Sequence, residues 1–225
     1  VATLERSLSS QRVLTQEFIT GVKISDVDAM TAAGLDLGAI GEAALRAAMK
    51  MLLIDGYFHA DPHPGNLIVD LDSGVVTFLD CGMVGELTIM QRAHLVLLLW
   101  TFVKGDVAAM GQQLRSLSVP FRPVDDALFL KAFERKMSRY QAGSKPDYKL
   151  VMSGAMGVLR DNGLRLDPQL TLALKAMMQA SAFFTRLAPT DRTFTEEALQ
   201  SVRELLAESL TDETLLDIGK KEGMK

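Results

Sequence analysis

The chain has 225 residues, of which 48% are hydrophobic, and a formal net charge of −4 at pH 7. This length supports one sizeable hydrophobic core, and the mildly acidic balance lacks the basic surface that nucleic-acid binding requires. A single cysteine, Cys81, cannot form an internal disulfide. We therefore expect a protein of a reducing compartment, either cytoplasmic or at the periphery of a membrane.

The first regular elements predicted from the amino terminus are a short strand and then a long helix. Apolar side chains recur at helical spacing from residue 35 to residue 54, and Asp36 precedes most of them as a candidate N-cap. This helix would lead the chain directly into the segment with the most informative sequence.

That segment runs from His59 to Asn66 and reads His-Ala-Asp-Pro-His-Pro-Gly-Asn. Phosphoryl transfer requires one group that orients the attacking oxygen and others that hold Mg²⁺ against the nucleotide phosphates. A loop of the form His-x-Asp-x-x-x-x-Asn can supply both. Asp61 would accept or orient the proton of the nucleophile, and Asn66 would turn its amide oxygen towards a metal.

A β-hairpin is predicted immediately after this loop. Residues 67–69 and 75–79 are apolar and rich in β-branched side chains, and the turn between them contains Gly74. Antiparallel pairing would bring Asn66, before the first strand, beside Asp80, after the second. Because Mg²⁺ prefers hard oxygen ligands and keeps several of its waters, one amide and one carboxylate are a sufficient protein contribution.

Helices are predicted over most of the remaining chain, with glycine and proline residues between them. Their predicted bounds are 89–103, 107–116, 125–140, 148–162, 168–187 and 195–209. The most apolar run, residues 93–103, is about half as long as the roughly 20 residues that a membrane-spanning helix needs. We expect this run to form a buried helix, with an interfacial helix as the alternative.

The two histidines of the loop receive different interpretations. His59 is expected to be structural and to bond backbone near the metal-binding turn. His63 follows it at a spacing of four, which in a helix would suggest zinc. Pro62, Pro64 and Gly65 prevent a regular helix there, so a zinc site is not expected.

Three further features are interpreted as structural. Cys81 has no basic neighbour in the sequence and is expected to be a buried packing thiol. The twelve methionines recur among Leu and Ala at helical spacing and are expected to fill the core, with a lipid-facing groove as the alternative. A basic stretch on one predicted helix is expected to be a solvated face, with contact to acidic lipid headgroups as the alternative; it comprises Lys131, Arg135, Lys136 and Arg139.

These motifs resemble those of a known family. His59, Asp61 and Asn66 match the catalytic-loop pattern of protein kinases, and the Asp-Cys-Gly sequence that begins at Asp80 stands where kinases carry Asp-Phe-Gly. The complete octapeptide is similar to the signature of the UbiB family, also called the ADCK or atypical kinase-like family. Residues 12–23 are similar to that family's strand and interlobe linker, and a Leu-Asp-Pro sequence at 166–168 recurs near its later helices.

The resemblance implies a fold of the α+β class that is mostly helical. It corresponds to a protein-kinase-like carboxy-terminal lobe with a small β-hairpin at the catalytic site. Residues 1–24 would form the end of the amino-terminal lobe and the hinge strand. Residues 25–225 would form the helical lobe.

The resemblance also implies roles for individual residues and a function. Asp61 is the catalytic aspartate, Asn66 and Asp80 bind Mg²⁺, and the backbone around Glu17, Phe18 and Ile19 contacts the adenine ring of ATP. The expected function is that of an ATP-binding, Mg²⁺-dependent atypical kinase or ATPase linked to isoprenoid quinone or lipid metabolism. A lipid or an isoprenoid quinone precursor is the further expected partner, with peripheral membrane contact.

The chain departs from the family pattern in what it lacks. The glycine- or alanine-rich nucleotide loop, the strand lysine with its helix glutamate partner and the Lys-x-Gly-Gln extension are absent from residues 1–225. We therefore expect a fragment of a longer protein, without most of the amino-terminal lobe. We also expect weak or undetectable ATP turnover from the chain alone, because the lysine that clamps the phosphates is missing.

Two alternative functions remain open at this stage. Aminoglycoside and choline phosphotransferases use the same His-x-Asp-x-x-x-x-Asn pattern, although Ala60 and Pro62 favour the UbiB family. A non-catalytic kinase-like module could instead present a helical surface to lipid or protein. The joint presence of Asp61, Asn66 and Asp80 counts against such a module, because a degenerate site usually loses a metal ligand.

Overall fold

Eight helices and seven short strands make up the part of the chain that the computed structural model describes, residues 1–141, 147–187 and 193–211. The helices are α1 (Val27–Ala32), α2 (Leu37–Met49), α3 (Ile89–Lys104), α4 (Val107–Ser116), α5 (Asp126–Gln141), α6 (Tyr148–Asp161), α7 (Pro168–Leu187) and α8 (Phe194–Thr211). The strands are β1 (Val22–Lys23), β2 (Tyr57–His59), β3 (Leu67–Val69), β4 (Val76–Phe78), β5 (Val84–Glu86), β6 (Ser118–Pro120) and β7 (Leu164–Leu166). A π-helical segment, Lys50–Asp55, continues α2, and 3₁₀ turns lie at Arg6–Leu8 and Pro64–Asn66.

Polar side chains define the starts of several helices by accepting a hydrogen bond from a backbone N–H of the first turn. The Asp36 carboxylate accepts from the Ala39 N–H at 3.1 Å and caps α2, as predicted. Thr88 and Gln91 form a reciprocal capping box at the start of α3. Since each such cap contributes about 1 kcal/mol, these residues explain where the two helices begin.

The hydrophobic core is centred on the contact between α2 and α7. Leu45 and Met49 of α2 and Met177 and Phe184 of α7 have no exposed surface. The core continues outwards through successive contacts of α3 with α4, α4 with α5 and α5 with α6. The expectation that methionines fill the core is confirmed for Met49, Met152 and Met177.

Three small antiparallel sheets lie within the described residues. The predicted hairpin is formed by β3 and β4, with Leu67 opposite Phe78 and Val69 opposite Val76. On its other edge β3 pairs with β1, which gives the order β1-β3-β4. The second sheet pairs β2 with β5, and the third pairs β6 with β7.

Two glycines allow the close backbone approaches that this arrangement needs. A Cβ added to Gly85 in β5 would lie 2.2 Å from the ring of Phe58, so glycine is required for the buried Phe58 ring to cover β5. Gly21 has φ +136°, and a Cβ there would lie 2.3 Å from the Val69 carbonyl oxygen. The chain can therefore approach β3 this closely only with glycine before β1.

The helices predicted from periodicity are confirmed with small shifts at their ends, and α4 and α7 have the predicted bounds. The predicted helix at 35–54 is divided, because α2 stops at Met49 and the π-helical segment Lys50–Asp55 ends against Gly56 with φ 73°. Apolar spacing continues across this change, so the sequence pattern does not reveal it. Helix α1 and strands β2, β5, β6 and β7 were not predicted.

The most apolar run of the sequence lies in α3. Leu95, Leu98 and Leu99 are buried on one side, whereas Leu97 is 50% exposed and Trp100 is 41% exposed. The prediction of a buried helix is thus confirmed for one face of α3. Within the described ranges, no helix has both the length and the apolar character needed to cross a membrane.

Candidate active site

Asp61 lies in the loop between β2 and β3, and helix α7 contacts its side chain. The Lys175 Nζ lies 2.9 Å from Asp61 Oδ1, and the Gln179 Nε2 donates to the same oxygen at 2.7 Å. The hydrogen bond from Gln179, followed by that from Lys175, lowers the pKa of Asp61 below its ordinary value of 3.8. Asp61 is therefore ionised near neutral pH, with one of its oxygens already engaged.

His59, at the end of β2, ties this loop to the end of β4. Its ring is buried, and its Nδ1 accepts a hydrogen bond from the Asp61 backbone N–H at 3.1 Å. Because Nδ1 is the acceptor, the proton is assigned to Nε2, which donates to the Leu79 carbonyl at 2.9 Å. The predicted structural role of His59 fits both bonds.

The remainder of the loop is braced by its own hydrogen bonds. His63 Nδ1 accepts from the Gly65 N–H at 3.0 Å, and the Asn66 N–H donates to the His63 carbonyl at 2.8 Å. The Asn66 side-chain amide donates from Nδ2 to the Asp61 carbonyl at 3.2 Å. This contact uses the nitrogen of the Asn66 side chain, and its oxygen stays available as a metal ligand.

The hairpin brings Asn66 and the residue before Asp80 into direct contact. Leu67 is opposite Phe78, and the Leu79 N–H donates to the Asn66 carbonyl at 2.7 Å. Asp80 follows Leu79 directly, so Asn66 and Asp80 lie at the same end of the hairpin. The two predicted metal ligands are therefore distant in the sequence, but their backbones lie close together in the structure.

Asp80 has an uncommon backbone conformation. Its φ of 52° is the only positive φ at a non-glycine position in the described part of the chain. The left-handed region costs an L-residue about 1–2 kcal/mol, and aspartate is among the residues that tolerate it best. Backbone strain of this kind is concentrated at functional sites.

The turn that follows Asp80 corrects one prediction. Cys81 is exposed, so the expectation of a buried packing thiol was wrong. The physical reason is its position: Cys81 lies in the turn between β4 and β5, where Gly82 and Met83 are also exposed, and not in a strand that packs on the core.

A cavity of about 700 Å³ lies beside Asp80. One wall is a ribbon formed by the first residues of the chain, where the Glu17 N–H donates to the Thr3 carbonyl and the Glu5 N–H donates to the Thr15 carbonyl, both at 2.9 Å. The opposite wall is the end of β4 and the following turn. The lining residues are Val1, Ala2, Leu4, Leu14, Gln16, Phe78, Leu79, Asp80, Cys81 and Gly82.

The residues predicted to contact adenine, Glu17, Phe18 and Ile19, follow directly after Gln16 of the cavity wall. The described lining ends at Gln16 on this side and includes none of the three. The Glu17 N–H is engaged by Thr3, and the Phe18 side chain is 88% exposed. Their contact with adenine therefore stays a prediction.

The donor set of the hairpin end fits a magnesium ion. Among the described residues, no group of three or more His, Cys, Asp or Glu side chains is arranged to hold a metal. An amide oxygen from Asn66 with a carboxylate from Asp80 is a different kind of site, in which phosphate oxygens and waters complete the coordination. Magnesium accepts this arrangement, whereas zinc requires more protein ligands.

Sequence reasoning missed Lys175 and Gln179, which lie more than 100 positions after Asp61 in the chain. A weak signal was present, because two polar residues four positions apart share one face of a helix whose other residues are mostly apolar. Nothing in the local sequence connects that face to Asp61. The connection depends on how α7 packs against the rest of the domain.

The fold and these contacts define a kinase-like domain, and comparison with known proteins identifies its family. Residues 1–114 match the model of the ABC1 atypical kinase-like domain. The chain belongs to this family, which confirms the resemblance drawn from the octapeptide and the Asp-Cys-Gly sequence. The matched region contains Asp61, Asn66 and Asp80, but ends before α7.

The chain is also similar to full-length proteins of plants and cyanobacteria. It is 28% identical over 202 residues to Protein ACTIVITY OF BC1 COMPLEX KINASE 7, chloroplastic, of Arabidopsis thaliana, which covers 88% of this chain and 29% of that protein. An uncharacterized protein of Synechocystis is 48% identical over 80 residues, which is 36% of this chain and 14% of that protein. Protein ACTIVITY OF BC1 COMPLEX KINASE 1, chloroplastic, of Arabidopsis thaliana is 26% identical over 227 residues, which is 97% of this chain and 33% of that protein. The chain thus spans about a third or less of the length of these relatives.

Proposed function

We propose that this chain carries the catalytic loop and the metal-binding turn of an ATP-dependent, Mg²⁺-dependent atypical kinase or ATPase of UbiB type. The observation that supports this most directly is the hydrogen bond from the Leu79 N–H to the Asn66 carbonyl, at 2.7 Å. It joins the loop of Asp61 to the turn of Asp80 at one end of the hairpin. These are the parts that phosphoryl transfer requires from this side of a nucleotide site.

In this proposal Asp61 orients the nucleophile. Its lowered pKa makes it a weak base, so it accepts a hydrogen bond from the attacking hydroxyl or water and takes the proton late, as the new bond to phosphorus forms. The His59 ring and the Asn66 amide hold the backbone on either side of the carboxylate. The position of Asp61 is therefore set before substrate binds.

Asn66 and Asp80 are the residues that would hold Mg²⁺. The ion would supply positive charge that neutralises the phosphate oxygens. The Nδ2 contact of Asn66 with the Asp61 carbonyl fixes which face of the amide is available. Asp80 has a left-handed backbone conformation and lines the cavity.

The cavity beside Asp80 is the proposed position of the nucleotide. Its volume of about 700 Å³ lies within the range of small-molecule pockets. Apolar side chains from the amino-terminal ribbon, Leu4 and Leu14, face the polar end at Asp80 across it. This division suits a ligand with a flat base, which packs on the apolar side chains, and a phosphate tail whose charge Mg²⁺ would neutralise beside Asp80.

The link to isoprenoid quinone or lipid metabolism and the peripheral membrane contact rest on the family resemblance. Two of the relatives carry "chloroplastic" in their names, and those names describe the plant proteins. For this chain we propose a reducing compartment, which its single cysteine supports.

The decisive experiment measures Mg²⁺-dependent ATP binding by the complete protein that contains residues 1–225. Wild-type protein should bind ATP more tightly with Mg²⁺ than with EDTA, and Asp80→Asn should abolish that difference. Asp72→Asn is the matched control, because Asp72 is an exposed aspartate at the far turn of the same hairpin. Equal Mg²⁺ enhancement in Asp80→Asn and wild type would overturn the proposal.

A further inference from the structure

We infer that Lys175 and Gln179 of α7 are positioning residues for Asp61, an inference that rests on the proposed function. They act on the aspartate and not on the nucleotide. Both residues lie outside residues 1–114, the region that matches the family model. The proposal therefore extends the site from the loop and hairpin to a helix in the last third of the chain.

The first argument is the geometry of the contact. Lys175 and Gln179 are four positions apart in α7 and so project from one face of the helix. Both reach Asp61 Oδ1, at 2.9 and 2.7 Å. Within the described residues no side-chain hydrogen bond is made to Oδ2. The pair thus fixes the carboxylate by one oxygen and presents the other to the nucleophile.

The second argument is that Gln179 is poorly suited to a purely structural role. Its Oε1 is buried and has no hydrogen-bond partner in the part of the chain that the structure describes. A flip of the amide would not repair this, because it would place Oε1 against the Asp61 carboxylate. A buried unpaired acceptor destabilises the fold, so the benefit of a glutamine here lies in the donor that it offers to Asp61.

The third argument concerns charge. The loop 60–66 contains no Lys or Arg, and the charged and titratable groups that act on Asp61 among the described residues are Lys175 and His63. Lys175 is therefore the cation that balances the Asp61 carboxylate at 2.9 Å. The Lys175 side chain is 45% exposed, so Lys175 balances the charge of Asp61 while part of its side chain remains accessible to solvent.

The test uses steady-state turnover of MgATP by the complete protein. Gln179→Met and Lys175→Met should each lower kcat by roughly ten- to hundredfold, the usual result of releasing a supported active-site group. The KM for MgATP should change little, because the lining of the proposed nucleotide cavity includes neither residue. Lys175→Arg should recover part of the loss. Gln112→Met and Lys131→Met, exposed residues of α4 and α5, are the matched controls.

A second variant separates positioning from structural support. In Gln179→Glu the new carboxyl group lies against Asp61, and this neighbouring negative charge raises the pKa of the glutamic acid. While protonated, it can donate to Asp61 as the glutamine does. The activity of Gln179→Glu should therefore be retained at low pH and lost as the pH rises through that raised pKa. Wild type and Gln179→Met should not show this loss of activity.

The outcomes are distinguishable from failure of the proposed function. If Asp61→Asn turns over MgATP as fast as wild type, the proposed role of Asp61 fails and this inference fails with it. If Asp61→Asn is inactive while Lys175→Met, Gln179→Met and Gln179→Glu keep wild-type kcat and pH dependence, only the positioning role is overturned. A variant that does not fold is identified by circular dichroism, and Lys175→Arg and Gln179→Glu, which keep side-chain size, then decide the result.

Discussion

The loop that carries Asp61 and the turn that carries Asp80 lie at the same end of one hairpin, but they are held in different ways. The loop has a buried histidine ring, two side chains that bond its backbone and a clamp from α7. The turn is exposed, its backbone is tied to the loop by the hydrogen bond from the Ala60 N–H to the Met83 carbonyl, and Asp80 adopts a left-handed conformation. The comparison indicates that the carboxylate of Asp61, the proposed catalytic group, is preorganised, whereas the carboxylate of Asp80, the proposed metal ligand, is positioned chiefly by the conformation of its own residue.

The largest expected effect comes from removing the charge of the preorganised group. Asp61→Asn keeps an oxygen for Lys175 and Gln179 but cannot take a proton, so turnover should fall about 10²- to 10⁴-fold. MgATP affinity should be nearly unchanged, since the metal ligands remain. Turnover and equilibrium ATP binding measured on one preparation check this. Asp28→Asn, an exposed aspartate in the first turn of α1, is the control.

The next effect breaks the scaffold of the loop. His59→Ala removes a buried ring and leaves both the Asp61 N–H and the Leu79 carbonyl unpaired, which should cost about 3 kcal/mol of stability. Urea unfolding of the complete protein measures the loss. His94→Ala is the comparison, because His94 is half-buried in α3 and has a single weak side-chain contact, from Gln113 at 3.3 Å. Equal losses for the two histidines would contradict the view that the loop is specially braced.

A smaller effect, of opposite sign, is expected in the turn. Asp80→Gly relieves the left-handed conformation and should leave stability unchanged or raise it by up to about 1 kcal/mol. The same change removes a proposed metal ligand, so the Mg²⁺ enhancement of ATP binding should disappear. Thermal unfolding measures the effect on stability, and ATP titration with and without Mg²⁺ measures the effect on binding. Loss of stability by more than Asp72→Gly would show that Asp80 supports the fold through its side chain.

The smallest expected effect is on stability and concerns Asp70, in the turn between β3 and β4. This turn lies at the opposite end of the hairpin from the Asp61 loop and the Asp80 turn, so it serves as a reference for both. The Ser73 hydroxyl and backbone N–H, with the Asp72 N–H, bond Asp70 Oδ1 and lower the pKa of Asp70 below 3.8. Ionised Asp70 therefore stabilises the fold above that value, and this contribution fades as pH falls through 3.8 towards the lower pKa of the folded state.

Asp70→Asn should accordingly show a slightly smaller drop in Tm than wild type between about pH 5 and pH 3. ATP turnover should not change, because Asp70 lies at the opposite end of the hairpin from Asn66 and Asp80. A loss of turnover as large as that expected for Asp61→Asn would indicate that the two ends of the hairpin are coupled.

Much of this arrangement could be predicted where the signal is local. The hairpin follows from two β-branched runs around Gly74, and α7 follows from its apolar periodicity. The pairing of β2 with β5 was missed because the two strands are far apart in the chain and β5 contains only one β-branched residue, Val84. The contacts of Lys175 and Gln179 with Asp61 were missed because they depend on tertiary packing, which leaves no short-range pattern.

The placement of β1 ties the wall of the proposed nucleotide cavity to the proposed metal site. Val22 pairs with Val69, and the Ile24 N–H donates to the Leu67 carbonyl at 2.9 Å, so β1 is bonded to the strand that begins directly after Asn66. The amino-terminal ribbon continues into β1 through Gly21. A displacement of the ribbon that carries β1 with it must either shift β3, and Asn66 with it, or break backbone hydrogen bonds. Such a movement of the cavity wall would therefore be transmitted to the proposed metal ligand through a single shared strand.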